Sequence, residues 1–365
     1  MVVLQKSSGA GAAPGESEMN ERAFWGSRAG LRSLILGMAL LCAGEGLPAQ
    51  ENVVLVGSGS SVPAPLYSRW AVEFNKRSQN LQFKYLPTGT KEGITDISHG
   101  TGDFGAGEVP LSTPEREEGK LTEVPIALVG IVPIYNVPGV KSGLHLSGEV
   151  LAEIFLGEIR DWNAAAITRL NPEVTLPNAP IHVVHRPSGK GSNYIFTDFL
   201  SKTSAQFRAR VGTSASPKWP VGESAERSSD MADQVRKESG AIGYVELAYA
   251  MKNGLTQAEV LNPAGKYVRA TATSLIEACR QVEQPHWDKL TASLTNAPGE
   301  DSFPITSFTW AYLRTDSGDM VRAHGISELL NWAFDDGQKF AEEEGYPPLP
   351  EEMLANVKER VKGIR

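Results

Sequence analysis

Short apolar runs alternate along most of the chain with stretches in which apolar residues recur at helical spacing. Residues 53–56 form a largely β-branched run, and Leu66, Trp70 and Phe74 follow it at intervals of four positions. The first pattern predicts a strand and the second an amphipathic helix. Because the glycine- and serine-rich residues 57–61 separate them, this stretch is expected to fold as strand, loop and helix.

The same alternation predicts the remaining secondary structure. Further strands are expected at residues 81–86, 103–106, 126–135, 181–184, 241–245 and 305–313. Further helices are expected at residues 94–98, 149–155, 161–170, 329–334 and 353–361, and directly after residue 192. Residues 126–135 are nearly all apolar, which is typical of a strand buried on both faces. Strands that alternate with helices predict the α/β class with mostly parallel sheets.

A separate apolar run lies near the N-terminus, at residues 34–43, with Arg28 and Arg32 before it. The run is too short for a membrane-spanning helix, which needs about 20 residues. A positive flank followed by a short apolar run and small residues indicates a signal peptide over residues 1–50, with Ala49 as the last residue before cleavage. A buried apolar helix is the alternative.

The chain has two cysteines, and neither is expected to form a disulfide. Cys42 lies inside the apolar run and would be removed with it, which leaves Cys279 alone. Lipid attachment at Cys42 is an alternative, although bulky residues precede it. Met19 is an alternative start, because residues 1–18 are rich in Gly, Ala and Ser and do not resemble the start of a signal peptide.

Composition narrows the class of protein. The chain has 365 residues, of which 41% are hydrophobic and 21% charged, as expected for a soluble globular protein of two lobes. The 35 Lys and Arg against 43 Asp and Glu give a net charge of −8, which argues against a nucleic-acid partner. A local anion site stays compatible with this charge, because a local field can oppose the global one.

Three predicted strands end in a Gly/Ser/Thr loop that opens a helix, at residues 57–61, 88–93 and 188–192. The free N–H groups and the dipole of a helix start attract anions. Arg186 precedes the third loop, and its guanidinium can bind an oxyanion through two parallel hydrogen bonds. One such loop is most often only a helix cap. Three of them with an arginine predict an anion site.

The sequence motifs give little support for a catalytic site or a metal site. The Gly189-Lys190 step lacks the spacing of a nucleotide phosphate loop, and residues 57–59 lack the spacing of a nucleophile elbow. His182 and His185 are three positions apart on a predicted strand, so they face opposite sides and make a poor metal pair. We therefore expect no catalytic residues, no metal and no cofactor.

Nine segments, taken together and in order, resemble the phosphate-binding subunit of phosphate-specific ABC transporters, a periplasmic solute-binding protein. They are residues 57–65, 103–106, 135–139, 155–159, 183–186, 191–192, 196–198, 219–222 and 243–246. The resemblance implies a type II periplasmic-binding-protein fold, with the ligand in a cleft between two α/β lobes. It implies two crossing hinge strands near residues 129–133 and 305–309. Lobe 1 would be residues 51–130 plus 306–365, and lobe 2 residues 131–305.

The resemblance also implies the residues that bind phosphate. They are Ser60, Ser61, Val62 through its N–H, Thr90, Glu108, Arg186, Lys190, Gly191 and Ser192. Glu108 stands where the family has a carboxylate, although it is one methylene longer than the usual Asp. Phosphate keeps a proton at neutral pH and sulfate does not, so a carboxylate acceptor favours phosphate.

The chain departs from the family pattern in its loops. Lys91 and Glu92 stand in a loop that is usually small and glycine-rich, Ser188 stands where an Asp usually steadies the arginine, and Lys190 replaces a serine. Lys190 is expected to contact the ion or to pair with Glu108, with a solvent-facing lysine as the alternative. The aromatic residues expected to serve in packing are Trp162, Trp219 and Tyr244.

The function implied by the resemblance is capture of inorganic phosphate in the periplasm and delivery to the permease subunits of an ABC transporter, by a monomer without enzymatic activity. One alternative is a paralogue that binds another oxyanion or a phosphate ester. A second is a secreted phosphatase or an adhesion protein on the same scaffold.

Overall fold

A computed structural model describes residues 52–78, 80–282, 293–316 and 318–362. The predicted signal peptide and Cys42 lie outside the described residues. The described residues all belong to one compact unit, and Cys279 among them is buried and free.

The strands alternate with helices, as predicted. The strands are β1 (Val53–Gly59), β2 (Leu81–Leu86), β3 (Phe104–Gly107), β4 (Leu121–Asn136), β5 (His145–Leu146), β6 (His182–His185), β7 (Glu223–Ser224), β8 (Ala241–Glu246), β9 (Glu259–Leu261), β10 (Tyr267–Val268) and β11 (Thr306–Arg314).

The helices flank these strands in chain order. They are α1 (Ala64–Asn75), α2 (Thr90–Ser98), α3 (Thr113–Glu117), α4 (Gly148–Phe155), α5 (Ala165–Leu170), α6 (Gly191–Thr203), α7 (Ala205–Arg210), α8 (Ser228–Lys237), α9 (Leu247–Lys252), α10 (Ala272–Arg280), α11 (Met320–Phe334), α12 (Gly337–Glu343) and α13 (Glu351–Lys362).

One large sheet carries eight strands in the order β2-β1-β3-β11-β4-β8-β6-β7, and β10-β9-β5 form a small second sheet. The outer parts of the large sheet, β2-β1-β3 and β8-β6-β7, are parallel. The two long central strands, β4 and β11, are antiparallel to each other and to their neighbours. The expectation of mostly parallel sheets is therefore wrong for the centre of the large sheet. Strand β4 carries the chain from the first half of the sheet to the second, and β11 brings it back in the opposite direction.

Strand β4 is shared by the two halves of the large sheet. Its first part, up to Gly130, pairs with β11, and its second part, from Ile131, pairs with β8. The change of partner falls at the position predicted for one crossing strand. The part of β11 beside it begins at Thr306, opposite Gly130.

The predicted helix at residues 161–170 begins only at Ala165. Asp161 instead forms a bridge to Pro180. The backbone N–H of Trp162 donates to Ala179 O at 3.0 Å and its indole N–H donates to Gly240 O at 2.9 Å. These non-local partners hold residues 161–164 as a bridge followed by a turn, in which the Ala164 N–H donates to Asp161 O at 3.1 Å, and the local apolar pattern does not predict this.

Aromatic side chains fill the core on both sides of β4. In helix α1, Trp70 meets Trp332 edge to face at 6.3 Å, and Tyr67 lies 5.4 Å from Phe104. Trp162 and Tyr244 are fully buried and Trp219 is partly buried. The expectation that these three aromatic residues pack is confirmed.

Candidate functional site

Loops from separate parts of the chain meet at one buried cluster of polar side chains. Ser60 follows β1, Thr90 opens α2, Glu108 follows β3, Arg186 follows β6, and Ser192 lies in the first turn of α6. None of these residues is more than 3% exposed. Because β1 and β3 are parallel neighbours, their C-terminal ends open at the same edge of the sheet. The sequence-predicted loops are therefore brought together.

Three hydroxyl groups surround the Glu108 carboxyl group. Thr90 Oγ1 donates to Oε2 at 3.3 Å, and Thr309 Oγ1 donates to Oε1 at 3.2 Å. The hydroxyl of Ser60 is the third hydrogen-bond partner. Thr309 reaches the carboxylate because β11 lies beside β3 in antiparallel register.

Burial decides the protonation of Glu108. Loss of water raises its pKa above the ordinary 4.5 and the charge of Glu246 adds to this rise, while the hydrogen bonds from Ser60, Thr309 and Thr90 lower it, so that the resulting pKa is about 7. At neutral pH the carboxyl group is therefore present in both forms. As a carboxylate it accepts a hydrogen bond, and as an acid it donates one.

Helix α6 begins directly against this carboxyl group. A Cβ on Gly191, the first residue of α6, would lie 1.8 Å from Glu108 Oε2 and 2.7 Å from Thr90 Oγ1. Only a glycine fits at this position without movement of the buried acid. The hydroxyl of Ser192, the next residue, is buried and has no hydrogen-bond partner within the described residues. The helix start thus presents its dipole and an uncommitted hydroxyl to the cluster.

Arg186 is held at several points and keeps its Nε–H uncommitted. Its backbone N–H donates to Tyr244 Oη at 3.1 Å. Nη1 donates to Ser228 Oγ at 3.1 Å and Nη2 to Ser61 Oγ at 3.4 Å. The buried Nε–H has no partner in the described part of the chain. A buried guanidinium with an uncommitted N–H suits an oxyanion.

The first loop folds back on itself. The Val62 N–H, an expected phosphate donor, donates to Ser60 Oγ at 3.1 Å. The Ser60 N–H donates to Ala106 O at 2.8 Å, which ties the loop to β3. The Val62 carbonyl accepts from Tyr346 Oη at 2.6 Å. The loop is thereby fixed beside the cluster, and the Val62 N–H is engaged within it.

Lys190 does not pair with Glu108, in contrast to one of the two expectations for it. Its ammonium forms an ion pair with Glu226. The side chain of Lys190 is 15% exposed and that of Glu226 is 65% exposed, so the pair points from the cluster towards solvent. Glu108 is fully buried among hydroxyl groups, whereas Glu226 is a partner that costs little desolvation.

The other departures from the family pattern lie outside the buried cluster. Lys91 and Glu92 are exposed. A Cβ at Gly89 would lie 2.3 Å from Glu92 Oε2 and 3.8 Å from Gly189 O, so the second and third loops face each other there. Lys91 and Glu92 therefore belong to the rim and leave the buried donors intact.

Four residues support the site although the sequence analysis did not predict them: Thr309, Ser228, Glu246 and Glu226. Thr309 lies in an apolar strand more than a hundred positions from its partner, and Glu246 belongs to a quoted segment without an assigned role. The sequence feature that bears on Thr309 is Pro125 in β4, because a proline has no N–H to donate to the neighbouring strand and so favours an irregular pairing. The register between β4 and β11 shifts between Thr309 and Trp310, beside this proline.

Two further properties concern the described residues as a set. None of their helices combines the length and the apolar character needed to cross a membrane. No group of three or more His, Cys, Asp or Glu side chains among them is arranged to hold a metal ion.

The chain resembles known proteins over most of its length. Residues 46–337 match the PBP superfamily domain. The phosphate-binding protein PstS of Xylella fastidiosa (strain 9a5c) is 35% identical over 308 residues, which cover 84% of each chain. The phosphate-binding protein PstS of Haemophilus influenzae is 35% identical over 317 residues, covering 87% of this chain and 95% of that one.

The fold is also found among solved structures. The ABC-type phosphate transport receptor of Vibrio cholerae matches with a TM-score of 0.57 at 16% identity, over 81% of this chain and all of that one. At this identity the match concerns the fold alone. It agrees with the mixed α/β architecture and the large shared sheet described above.

Proposed function

Because the chain belongs to the PBP superfamily and, within it, to the PstS phosphate-binding proteins, we propose that it captures inorganic phosphate and delivers it to an ABC permease for import. The observation that carries this proposal is the buried cluster itself. Arg186 Nε and the Ser192 hydroxyl are uncommitted donors, and Glu108 is a carboxyl group that titrates near neutral pH.

The chemistry of phosphate matches this arrangement. At neutral pH phosphate carries one or two protons and several oxygens that accept hydrogen bonds. The guanidinium of Arg186, the hydroxyls of Ser61 and Ser192, and the start of α6 supply donors, and Thr90 would donate by turning its hydroxyl proton from Glu108 to the ion. Glu108 accepts the hydrogen bond from the phosphate proton. Sulfate has no proton at neutral pH, so ionised Glu108 would face one of its oxygens and repel it.

We assign the phosphate set to Ser60, Ser61, Val62, Thr90, Glu108, Arg186, Gly191 and Ser192, with Val62 changing its hydrogen-bond partner when the ion binds. Lys190 is left out as a direct contact because Glu226 already holds its ammonium. Its charge still lies near the start of α6, where it adds to the positive field.

The ion would lie between two lobes, residues 51–130 with 306–365 and residues 131–305. Arg186 comes from the second of these segments and Ser61 from the first, and their 3.4 Å contact is one that closure of a cleft would make. Full burial of Glu108 and Arg186 favours a small ion over a phosphate ester, because no substituent reaches solvent from there. Rigid-body closure about β4 and β11 would then remove the ion from water.

The remaining features of the proposal concern cellular context. The relatives are named as binding proteins, which supports a function without catalysis. A leader over residues 1–50 would export the chain to the periplasm, where it would act as a monomer beside the permease subunits.

The experiment that tests the proposal is isothermal titration calorimetry of the protein after unfolding and refolding to remove carried-over ligand. Phosphate, arsenate, sulfate and glycerol phosphate are titrated at pH 8, where Glu108 with its pKa of about 7 is mostly ionised. We expect one tight site for phosphate and arsenate, and no heat with sulfate or the ester. Absence of phosphate binding by the folded protein contradicts the proposal, and preference for the ester would identify a different ligand class.

A further inference from the structure

The guanidinium of Arg186 is buried without a directly paired acid. The residue is 2% exposed, and it makes no ion pair with any carboxylate in the described part of the chain. A buried charge needs compensation by a counter-charge or by hydrogen bonds to the charged atoms. The positive charge of the Arg186 guanidinium is therefore compensated by hydrogen bonds, and any acid that acts on it does so through a bridging side chain.

Ser228, the first residue of α8, connects Arg186 to an acid. Arg186 Nη1 donates to Ser228 Oγ at 3.1 Å, and Ser228 Oγ donates to Glu246 Oε2 at 2.7 Å. A serine hydroxyl has one proton, so donation to Glu246 leaves the oxygen lone pairs for Arg186. The carboxylate thus fixes Ser228 as an acceptor on the side that faces the guanidinium.

The electrostatics of Glu246 agree with this connection. Glu246 is 4% exposed, and burial raises its pKa. The hydrogen bond from Ser228 and the charge of Arg186 both lower the pKa, which means that they stabilise the carboxylate form.

Strand β8 supplies both supports of Arg186. Tyr244 and Glu246 are two positions apart on β8, so their side chains emerge on the same face. Tyr244 Oη accepts the Arg186 backbone N–H at 3.1 Å and donates to Asn193 Oδ1. Glu246 itself is paired in the sheet with Ile131 of β4. One rigid strand therefore holds the backbone of Arg186 directly and its guanidinium through Ser228.

We propose that Glu246, acting through the hydroxyl of Ser228, is the positioning residue that holds the Arg186 guanidinium in its anion-binding orientation. The inference rests on the proposed phosphate function. Ser228 and Ser61 each take one Nη donor, and the Nε–H is left for the ion. Neither Glu246 nor Ser228 needs to touch the ion.

The first test measures phosphate affinity by calorimetry at neutral pH for Ser228→Ala, Ser228→Thr and the control Ser229→Ala. Ser229 is the next residue of α8, and its hydroxyl donates to Asp230 Oδ1 at 3.3 Å. Loss of a charge-assisted anchor predicts a weakening of about 10- to 100-fold for Ser228→Ala. Restoration of the hydroxyl predicts that Ser228→Thr stays within about threefold of the unaltered protein. Ser229→Ala should leave the affinity unchanged.

The second test uses the sign of the effect of Glu246→Gln. If Glu246 were only a negative charge near the site, its neutralisation would strengthen anion binding. A positioning role predicts a weakening instead, because an amide can turn either group towards Ser228 and no longer fixes the hydroxyl as an acceptor.

The third test is a double-mutant cycle with Arg186→Lys. If Ser228 acts through the guanidinium, Ser228→Ala should cost less than about twofold in phosphate affinity once Arg186 is lysine.

Denaturant unfolding without phosphate is measured alongside for every variant. An additive loss in the cycle, tighter binding by Glu246→Gln, or unchanged binding by Ser228→Ala overturns the inference alone. Failure of the unaltered protein to bind phosphate overturns the proposed function and this inference with it.

Discussion

The carboxyl group of Glu108 is subject to opposing influences. Full burial favours the neutral acid, and three hydroxyl donors favour the carboxylate. The result is a group that changes charge close to neutral pH, in contact with the start of a helix. Its protonation therefore affects both the stability of the fold and the choice of ion.

Replacement by Glu108→Gln should change how stability depends on pH. With a folded-state pKa of about 7 and an ordinary value of 4.5, the folded protein binds more protons than the unfolded chain between these values, so this residue makes stability fall as pH rises through that window. Glu108→Gln removes this component. Without phosphate, we expect the variant to gain up to about 3 kcal/mol relative to the unaltered protein between pH 4.5 and pH 8.

Urea unfolding of both proteins across that pH range measures the difference. The matched control is Glu226→Gln, which makes the same chemical change at an exposed position outside the buried cluster. A difference between Glu108→Gln and the unaltered protein that does not vary with pH would contradict the shifted titration.

The same residue should control discrimination against sulfate. Glu108→Gln places an amide N–H where ionised Glu108 presents only acceptors, so sulfate should bind at neutral pH and phosphate should bind about 10-fold more weakly. In the unaltered protein, sulfate binding should appear as pH falls below about 7, because the protonated acid donates a hydrogen bond. Calorimetric titration at pH 5.5 and pH 8 measures both effects. Exclusion of sulfate by the Gln variant would show that another group discriminates.

Glu226 should reduce the attraction of the site for anions. Glu226→Ala removes the partner of Lys190 and leaves an uncompensated ammonium near the start of α6, so phosphate association should become faster at low salt. The gain should disappear at about 1 M salt, where charges are screened within about 3 Å. Stopped-flow measurement of the association rate tests this. The same change in a Lys190→Ala background should give a smaller gain, because only the negative charge of Glu226 is removed there, and an equal gain in both backgrounds would exclude release of Lys190 as the cause.

At the scale of secondary-structure elements, the contact between α6 and β3 is tight. Gly191 opens α6 directly against the Glu108 carboxyl group, which follows β3. Gly191→Ala should therefore displace the acid or the helix start and weaken phosphate binding by more than about 10-fold. The shorter acid in the double variant Gly191→Ala/Glu108→Asp should restore part of that loss. Titration of the two variants tests this, and a double variant no better than the single one would place the conflict elsewhere.

Local patterns predicted the elements well and the partners poorly. Strand β2 matches its predicted range, residues 81–86, β11 is shifted by one residue from its predicted range, and β4 begins five residues before its own. The helix at residues 161–170 starts late because Trp162 donates to distant carbonyl groups. Thr309 and Ser228 join the site through antiparallel pairing and a helix start, neither of which has a spacing rule in the sequence. The resemblance to a family therefore identified the binding loops, whereas the residues that support these loops became evident only from the tertiary contacts of the structure.

At the scale of the whole molecule, the two halves of the large sheet are joined by β4 and β11. Strand β4 belongs to both halves, and β11 occupies the position between β3 and β4. Every loop of the anion cluster lies at the ends of strands on one side or the other of this pair. A shared central pair allows the halves to move relative to each other without breaking the sheet at its outer strands.

The position of β11 also has a consequence for the order in which the protein folds. Strands β1, β2 and β3 are made early, but β3 gains its second neighbour only when Thr306–Arg314 has been synthesised. Residues 131–305 form β6, β7 and β8 from contiguous chain. Because non-local pairing slows folding, we expect amides of β6 and β8 to gain protection before those of β1 and β3 in pulse-labelled hydrogen exchange during refolding. Simultaneous protection would contradict this order. Until its last strand has been synthesised, the chain cannot complete the large sheet whose strand ends carry the anion cluster.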